Sequence, residues 1–446
     1  MKTMNQAEMN DTVQAVLDYA KKIGASDAEI DIILSQGLSV VVRQQTTEEL
    51  IYHQDQAVNI HLFNGQQQGT ASCTDLSIKS LKNTVEAAWA IAQHTGKDPH
   101  IGLADQNLMA KEFPDLGQYY SEDFSADQAL EIAKNCEQAA LSYSPLIKNS
   151  EGASLSTNTS YHTYANTHGF CHTEASSLYQ LNCTVVAEQN RLMQRDFNYI
   201  LDRKPEILKG KNPEITGKKA AERTVQRLGA KPIKTQKASV IFVPEMARSL
   251  LKHLTSAISG LAIYRRTSFL VDQMGKKIFP EKITIGEQPY LFGALGSQAF
   301  DSEGVTTKTQ NFINQGYLEK YILGSYSARC LGLSTTGNAD GVHNLTISCE
   351  SDSLNLEQLL LKMGTGFLIT ELLGSGVNLL TGDYSRGAAG FWIENGKIIH
   401  PVEGVTVASN LKEMYQNILA VGNDIDTRGN IRTGSIWIES MMISGN

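Results

Sequence analysis

The sequence has little of what marks membrane or secreted proteins. No run of about 18 apolar residues occurs, which excludes a helix that spans a bilayer. The N-terminal stretch MKTMNQAEMNDTVQ has no apolar signal core and no twin arginine. Six cysteines are scattered over 446 residues without a CxxC pair, which excludes a disulfide framework. We therefore expect a cytoplasmic protein with reduced thiols and no membrane association.

The sequence also lacks a basic block. The net charge is −8, and the densest basic stretch, KPEILKGKNPEITGKK, is interrupted by proline and glutamate. Because phosphate contacts need a basic patch, we expect no nucleic-acid partner. Hydrophobic residues make up 41% of the chain and charged residues 19%, which supports a packed core rather than disorder. The length favours two or three domains.

Residues 1–229 are predicted to form an N-terminal domain of mixed helices and strands. Helical spacing marks TVQAVLDYAKKIG, SIKSLKNTVEAAWAIAQH, ADQALEIAKNCEQAALSY and ITGKKAAERTVQRLG, with Ser125 as the N-cap of the third. SVVVRQQTTEELIYH and AVNIHLFNGQQQGTASC are typical of strands, with a tight turn at Asn64-Gly65. The Ser-, Thr- and Tyr-rich residues 147–202 predict long antiparallel strands that turn at 166–169.

Residues 230–446 are predicted to form a second domain after the linker AKPIKTQK. Strands dominate, glycine is frequent, and turns are expected at Asn314-Gln-Gly316 and Glu394-Asn-Gly-Lys397. Short helices are expected near 245–260, 356–363 and 409–419. Helices and strands do not alternate strictly, so we predict the α+β class. The architecture expected is an N-terminal α/β domain followed by a strand-rich, glycine-dense C-terminal domain with short helices.

The stretch FVPEMARSLLKHL is typical of a buried strand that runs into a helix, and a carboxylate beside an imidazole on such a helix is a common way to build a hydrolytic site. Glu245 opens the helical pattern, but no HxxxH or HxxxxH pair occurs in it, and His253 fits a helix surface or core edge. His168 and His172 are four residues apart, yet the intervening glycine favours a wet turn over a ligand pair. Neither GxSxG, GxxxxGK[ST] nor GxGxxG occurs.

The stretch LLTGDYSRGAAGFWIENGKIIHPV is the most unusual part of the sequence. Polar residues at 383–386 precede small residues at 387–390, which let another backbone approach closely. Two interpretations stay open. The stretch forms a strand edge that accepts an extended peptide, or it forms a bulged hairpin in an ordinary sheet.

Several longer motifs carry a family resemblance. FDSEGV at 300–305, SYSAR and LGL within 325–333, MGTG at 363–366, TGDYSRGAAGFWIENG at 381–396 and GNDI at 422–425 together resemble the TldD/PmbA family, and more closely its PmbA (TldE) branch. The resemblance is strongest from about residue 238 to the C-terminus. It implies a two-subunit peptidase in which the TldD-type subunit carries a zinc helix of the form HExxxH and a later cysteine ligand. The PmbA/TldE-type subunit is its partner.

Carried onto this chain, the motif retains one residue of four. The two histidines fall at Pro244 and Ser249, the glutamate at Glu245, and the cysteine near Asp424. Proline cannot bind zinc, serine is a poor ligand, and a catalytic zinc ion needs three protein ligands. We therefore expect no cofactor on this chain and zinc on a TldD-like partner. Glu245 then has no metal-bound water to deprotonate. We expect it instead to be a carboxylate of the first helical turn, where the helix dipole favours negative charge.

The resemblance implies a metal-free subunit of a metallopeptidase that trims or degrades unfolded peptides, of the microcin-leader or antitoxin type. The chain would pair with a zinc-bearing subunit, with a homodimer possible when it is alone. Residues expected near a peptide groove or subunit interface are Asp301, Glu303, His343, Asp383, Tyr384, Ser385, Arg386 and Trp392.

Two alternatives stay open. One is a non-proteolytic regulator of DNA gyrase or of a toxin–antitoxin system, in keeping with the older family label, modulator of DNA gyrase. The other is a self-sufficient hydrolase that uses Asp383, Glu371 or Ser385.

Overall fold

The computed structural model describes residues 6–350 and 353–445, and the mixed α+β class is confirmed. The α-helices are α1 (Gln6–Lys22), α2 (Ile78–His94), α3 (Ala126–Leu141), α4 (Asn212–Gln226), α5 (Pro244–Ala257), α6 (Gly260–Tyr264), α7 (Ser325–Leu331), α8 (Leu356–Met363) and α9 (Leu411–Gln416). The strands of the N-terminal region are β1 (Asp27–Arg43), β2 (Thr46–Asn64), β3 (Gln67–Cys73), β4 (Ile147–Asn166), β5 (Cys171–Gln189) and β6 (Leu192–Asp202). Those that follow are β7 (Gln236–Phe242), β8 (Ile283–Glu287), β9 (Gln310–Asn314), β10 (Tyr317–Leu318), β11 (Leu345–Cys349), β12 (Gly366–Leu373), β13 (Asp383–Glu394), β14 (Lys397–Asn410), β15 (Ile418–Val421), β16 (Ile431–Arg432) and β17 (Ile436–Ser444).

The N-terminal region is one antiparallel sheet with helices on one face. The strand order is β3-β2-β1-β4-β5-β6. Even-numbered residues of β1, such as Ile30 and Val40, are buried beneath the helices. Side chains alternate along a strand, so odd-numbered residues of β1 point to the opposite face. That second face, which we call the outer face, is polar.

Two apolar clusters pack the helices on this sheet. α1 and α2 cover one end, with Ile60 and Val85 among the buried contacts. α3 and α4 cover the other end, with Leu181 and Ala220 among them. Ser125 caps α3 in a capping box with Gln128, as the sequence predicts.

The turn predictions are confirmed at 64–65, 166–169, 314–316 and 394–397, each of which lies between two paired strands. The reading of SVVVRQQTTEELIYH as one strand is wrong, because a turn at Gln44 and Gln45 divides it into β1 and β2. Both residues have positive φ, and their N–H groups donate to the buried carboxylate of Glu137 at 2.9 and 2.7 Å. A side chain distant in sequence therefore supplies the turn signal.

The C-terminal region contains two sheets around the largest apolar cluster. One has the order β10-β9-β8-β11-β16 and the other β14-β13-β12-β7-β17-β15. β14 also pairs with β17, so five strands of the second sheet form a closed ring. The three predicted short helices are confirmed as α5, α8 and α9. The predicted boundary at 229/230 lies in the connection between α4 and β7.

No helix within the described residues is both long enough and apolar enough to cross a membrane.

Candidate functional site

The helix that carries the altered zinc motif begins directly after a buried strand. β7 ends at Phe242, and α5 starts at Pro244, where a missing N–H costs no intrahelical hydrogen bond. Glu245 follows in the first turn. One turn later, the hydroxyl of Ser249 donates to the carbonyl of Met246 at 2.7 Å. The strand-to-helix prediction for this stretch is therefore confirmed.

The fourth motif position lies at the same end of the sheet. Phe242 pairs with Ile436 on β17, and Ile436 pairs with Val421 on β15. Asp424 follows Val421 by three residues, which places it at the end of the sheet where α5 begins. Its carboxylate accepts hydrogen bonds from the N–H and hydroxyl of Ser435, at 2.9 and 2.7 Å.

The motif positions do not fit a catalytic zinc ion. Pro244 has no donor atom, and a serine hydroxyl is a poor zinc ligand. Both oxygens of Asp424 already accept hydrogen bonds from Ser435. Across residues 6–350 and 353–445, no three His, Cys, Asp or Glu side chains group as metal ligands. No reaction step can therefore be assigned to a metal at these positions.

Glu245 instead joins two arginines. Its carboxylate lies 3.3 Å from Arg223 on α4 and 3.0 Å from Arg428 in the C-terminal region. Arg428 also donates to the carbonyl of Tyr199 on β6 at 2.9 Å and lies 4.2 Å from the centroid of that ring. The first turn of α5 is thus tied to the N-terminal sheet through charge-assisted hydrogen bonds.

A cavity of about 250 Å³, the α5 cavity, lies beside these ion pairs. Its charged lining residues are Arg195, Asp196, Arg223, Arg227, Glu245, Arg248, Glu371 and Arg428. Arg248 lies 2.5 Å from Asp426, and Arg227 binds Glu371. Burial opposes ionisation of Asp426, but hydrogen bonds from Arg428 and the neighbouring positive charge lower its pKa. The guanidinium groups of this cavity are therefore already balanced by carboxylates.

A second region forms where the predicted loops 300–304 and 338–344 meet. One oxygen of Asp301 accepts from the N–H groups of Glu303 and Val305, both at 3.0 Å, and the other accepts from Ala339 at 3.0 Å. Asp301 is buried, and burial together with the charge of Glu303 raises its pKa to about 7. Asp301 therefore holds the two loops together.

The other two loop residues also have internal partners. Glu303 accepts from the N–H of Ser325 at 2.8 Å, and burial raises its pKa. His343 is buried, and its ring lies 3.2 Å from the carbonyl of Gly337. Of the three predicted loop residues, only Glu303 is partly accessible.

The outer face of the N-terminal sheet meets these loops. There, Glu29 accepts a hydrogen bond from the hydroxyl of Tyr164 at 2.7 Å and lies 2.9 Å from the ring of His61. Asp31 binds the ring of His162. Burial opposes protonation of His162, but the hydrogen bond and charge of Asp31 outweigh it and raise the pKa. Titratable groups of both regions thus face one another.

A cavity of about 460 Å³, the interdomain cavity, opens along this contact. Its lining comes from the outer face, from the segment that follows α2 and from the C-terminal loop near 298: Phe113, Pro114, Asp115, Leu116, Gln118, Tyr119, His162, His172, Thr173, Glu174, Ala175, Ser176, Arg203, Ser297, Gln298 and Ala299. Burial raises the pKa of Glu174, against the positive charges of His162 and Arg203. Its size and its few convergent polar groups are typical of a ligand pocket.

Of the two interpretations left open for the stretch LLTGDYSRGAAGFWIENGKIIHPV, the peptide-accepting strand edge is wrong, because β13 is an inner strand. Residues 387–393 pair with β12 on one side, and residues 383–394 pair with β14 on the other. β12 does not pair with the part of β13 before residue 387. There, the segment 376–378 forms main-chain hydrogen bonds with β13 instead. Register shifts interrupt the β13–β14 ladder, so the bulged-hairpin interpretation is confirmed.

The side chains of this hairpin serve its own turn and core. Asp383 accepts from Thr381 at 2.6 Å, and Arg386 donates to the carbonyl of Gly374 at 3.0 Å. Tyr384 is buried, and burial raises its pKa to about 12. Trp392 is also buried, and its indole N–H donates to the neighbouring Glu394 at 3.0 Å.

No hydrogen bond or ion pair among the described residues joins residues 383–392 to the loops 300–304 and 338–344. Ser385 is exposed. Glu371 binds Arg227 of the α5 cavity, whereas Asp383 binds Thr381 and Asn410. The structure therefore does not assemble Glu371, Asp383 and Ser385 into a hydrolytic site.

The two histidines singled out by their spacing, His168 and His172, have different contacts. His168 contacts the carbonyl of Ala104 at 3.1 Å, whereas His172 stacks on Phe113 with 3.7 Å between ring centroids. His253 is partly buried on α5, as expected for a core edge. Sequence reasoning missed the outer-face residues Asp31, His162, Glu174 and Arg203. His162 and Glu174 lie in strands that were predicted, and the alternation of polar residues there was their signal. Asp31 lies in the first half of β1, which was not predicted as a strand, and Arg203 follows β6.

Comparison with known proteins gives three family-model matches, described as PmbA/TldA metallopeptidase domain 1 (residues 28–92), central domain (119–228) and C-terminal domain (235–445). The chain is 43% identical to Metalloprotease PmbA of Escherichia coli O157:H7 over 451 residues, covering 100% of this chain and 99% of that protein. It is 22% identical to a Metalloprotease TldD homolog of Buchnera aphidicola over 411 residues, covering 87% and 83%.

Solved structures share the whole fold. A protein of Bacteroides thetaiotaomicron named as a modulator of DNA gyrase matches with a TM-score of 0.93 and 26% identity, covering 100% of both chains. TldE from Thermococcus kodakarensis matches with a TM-score of 0.83 and 20% identity, covering 97% of this chain and 100% of that one, which supports the fold alone. All three domain models match in order, and the chain is 43% identical to Metalloprotease PmbA over its full length. The chain therefore belongs to the PmbA/TldD metallopeptidase family, within its PmbA branch.

Proposed function

We propose that this chain is the zinc-free subunit of a cytoplasmic TldD/TldE-type metallopeptidase. It pairs with a zinc-bearing TldD-like subunit and helps to enclose unfolded peptides, of the microcin-leader or antitoxin type, while the partner hydrolyses them. When alone, it forms an inactive monomer or homodimer.

One observation carries this proposal. Where a TldD-type subunit has its zinc ligands, this chain has Pro244, Ser249 and Asp424, and Glu245 is paired with Arg223 and Arg428. The Glu245 carboxylate is engaged by Arg223 and Arg428, and these positions provide no metal-bound water for it to deprotonate. The helix therefore contributes packing and interdomain ion pairs.

The family relations support a paired assembly. The similarity to a TldD homolog over most of the chain is consistent with a shared fold for the two kinds of subunit.

Peptidase activity and zinc content, measured on the lone chain and on its complex with a TldD-like subunit, test the proposal. We expect zinc and hydrolysis of an unstructured peptide only in the complex. Glu245→Gln in this chain should leave activity per folded complex unchanged, because the amide preserves the side chain's shape. Changing the glutamate of the partner's HExxxH motif to glutamine should abolish activity.

Two results would overturn the proposal. One is hydrolysis by the lone chain with one zinc ion bound. The other is failure to associate with any TldD-like subunit. Binding to gyrase or to an antitoxin without hydrolysis, unchanged when the TldD-like subunit is absent, would favour the regulatory alternative.

A further inference from the structure

The interdomain cavity carries a carboxylate that the chain itself does not satisfy. Glu174 lines this cavity on β5, and no described residue donates a hydrogen bond to it. The carboxyl groups of Asp301 and Glu303, by contrast, both accept hydrogen bonds from main-chain N–H groups. A partly buried carboxylate without a donor favours a cation from outside.

We propose that the interdomain cavity binds a basic side chain of an extended peptide, with the ammonium or guanidinium group at Glu174 and the aliphatic stem along the aromatic wall. This inference rests on the proposed function, since it names the class of peptide segment that the subunit holds.

The wall beside Glu174 suits an aliphatic stem. His172 lies two residues earlier on the same face of β5 and stacks on Phe113, with ring planes 7° apart. Burial lowers the pKa of His172, which favours the uncharged ring. Tyr119 adds a third ring to the lining. Lysine and arginine bury their stems along such surfaces while the charged end reaches a polar partner.

The charges around the cavity favour a cation over an anion. His162 lies opposite Glu174 on the neighbouring strand, but Asp31 binds its ring and offsets its charge. Asp340, from the loop at 338–344, adds a further negative charge that acts on both His162 and Glu174. Asp115 contributes another carboxylate to the lining.

Arg203 is the cation that could otherwise neutralise Glu174, and it is held elsewhere. Its two terminal nitrogens donate to the carbonyls of Ser177 and Leu295, at 3.1 and 2.9 Å. Its third nitrogen is buried and has no partner among the described residues. Arg203 thus fixes the cavity wall, and one N–H of each terminal nitrogen is committed to a main-chain carbonyl rather than to Glu174.

The test measures binding of C-terminally labelled decapeptides to the lone, full-length chain by fluorescence anisotropy. The peptides are N-acetylated, unstructured and identical except for one central residue, which is lysine, arginine, norleucine or glutamate. We expect lysine and arginine peptides to bind about tenfold more tightly than the norleucine peptide, and the glutamate peptide to bind most weakly. Equal affinities for the lysine and norleucine peptides would overturn the inference without the need for any variant.

Glu174→Gln should lower the affinity for the lysine peptide to about that for the norleucine peptide, whose own affinity should not change. Phe113→Ala should weaken the lysine and norleucine peptides by the same factor, because both lose the stem contact. Glu439→Gln, an exposed carboxylate on β17, serves as the matched control and should change neither affinity. A lysine preference that survives Glu174→Gln in a protein with a normal melting temperature would contradict the assignment.

A second peptide set separates a basic side chain from a free α-amino group. If only non-acetylated peptides bind tightly, and the central residue has no effect, the cavity takes a peptide N-terminus and the side-chain proposal is wrong. These measurements need neither the zinc-bearing subunit nor hydrolysis. The binding measurements can therefore be interpreted even if the peptidase proposal is wrong. Conversely, equal affinities for the lysine and norleucine peptides would not contradict the peptidase proposal.

Discussion

Asp301 is a buried carboxyl whose three hydrogen-bond donors are all main-chain N–H groups. Such donors favour the ionised form, yet burial and the nearby charge of Glu303 dominate and raise the pKa to about 7. The loops at 300–304 and 338–344 are therefore held by a group that titrates near neutral pH. Their stability depends on pH for this reason.

The sign of that dependence follows from proton binding. The folded chain holds a proton on Asp301 up to about pH 7, whereas the unfolded chain releases it near the ordinary pKa of 3.8. The stabilisation is thus full below pH 3.8 and is lost as the pH rises to about 7. We expect this group to contribute about 2–4 kcal/mol less to the free energy of unfolding at pH 8 than at pH 4.

Asp301→Asn removes this titration and isolates its effect. The difference in melting temperature between wild type and variant should be largest near pH 4 and should narrow towards pH 8. Asp55→Asn, an exposed change of the same kind on β2, should show no such narrowing. A constant difference across this pH range would show that Asp301 does not titrate as inferred.

At the scale of elements, β13 shows why its glycines matter. A Cβ atom on Gly390 would lie 1.9 Å from the carbonyl oxygen of Leu368 on β12. The small residues at 387–390 therefore let two strands of the closed ring approach each other at a register shift. Their role is packing within the sheet rather than access for a peptide.

Gly390→Ala should accordingly destabilise the protein by about 2–3 kcal/mol, because the backbone must move to admit the methyl group. Gly387→Ala on the same strand is the matched control. Its Cβ would lie 3.2 Å from the Cβ of Leu373 and 3.8 Å from the carbonyl oxygen of that residue, so a smaller loss is expected. Urea denaturation of both variants measures the two losses, and equal losses would contradict the argument.

The elements that the sequence predicts are those with local causes. Asn64-Gly65 makes its own turn and Ser125 caps its own helix, so both are readable from a few residues. The turn at Gln44 and Gln45 depends on Glu137, which lies more than ninety residues away. α6 and α7 are too short for a clear period and were not predicted.

The same limit applies to the candidate sites. The strand-to-helix junction before Pro244 could be placed from sequence because it is a local pattern, and the family resemblance then gave the motif positions Pro244 and Ser249. The neighbourhood of Glu174 could not, because its partners come from β4, from the segment after α2 and from C-terminal loops. Which polar strand residues face one another depends on strand pairing, and one sequence alone does not determine that pairing.

At the scale of the whole molecule, the segment between α2 and α3 fastens the two regions together. Arg329 on α7 donates to three carbonyl groups of this segment: His100 at 2.7 Å, Gly102 at 3.1 Å and Leu103 at 2.5 Å. Tyr326 on the same helix donates to Asp98 at 2.8 Å. A single short helix of the C-terminal region therefore holds the connection that lines the interdomain cavity.

Arg329→Met should release this segment while keeping much of the side chain's apolar volume. Three carbonyl groups would lose their donor, and local opening would cost less free energy than in the wild type. We expect trypsin to cleave after Lys97 or Lys111, which lie in this segment, about tenfold faster under native conditions. Arg265→Met, an exposed arginine of the C-terminal region, should leave that rate unchanged. Mass spectrometry of the first products identifies the cleaved bonds. Equal rates for Arg329→Met and wild type would mean that the segment is held by its apolar contacts, such as Met109, and not by Arg329.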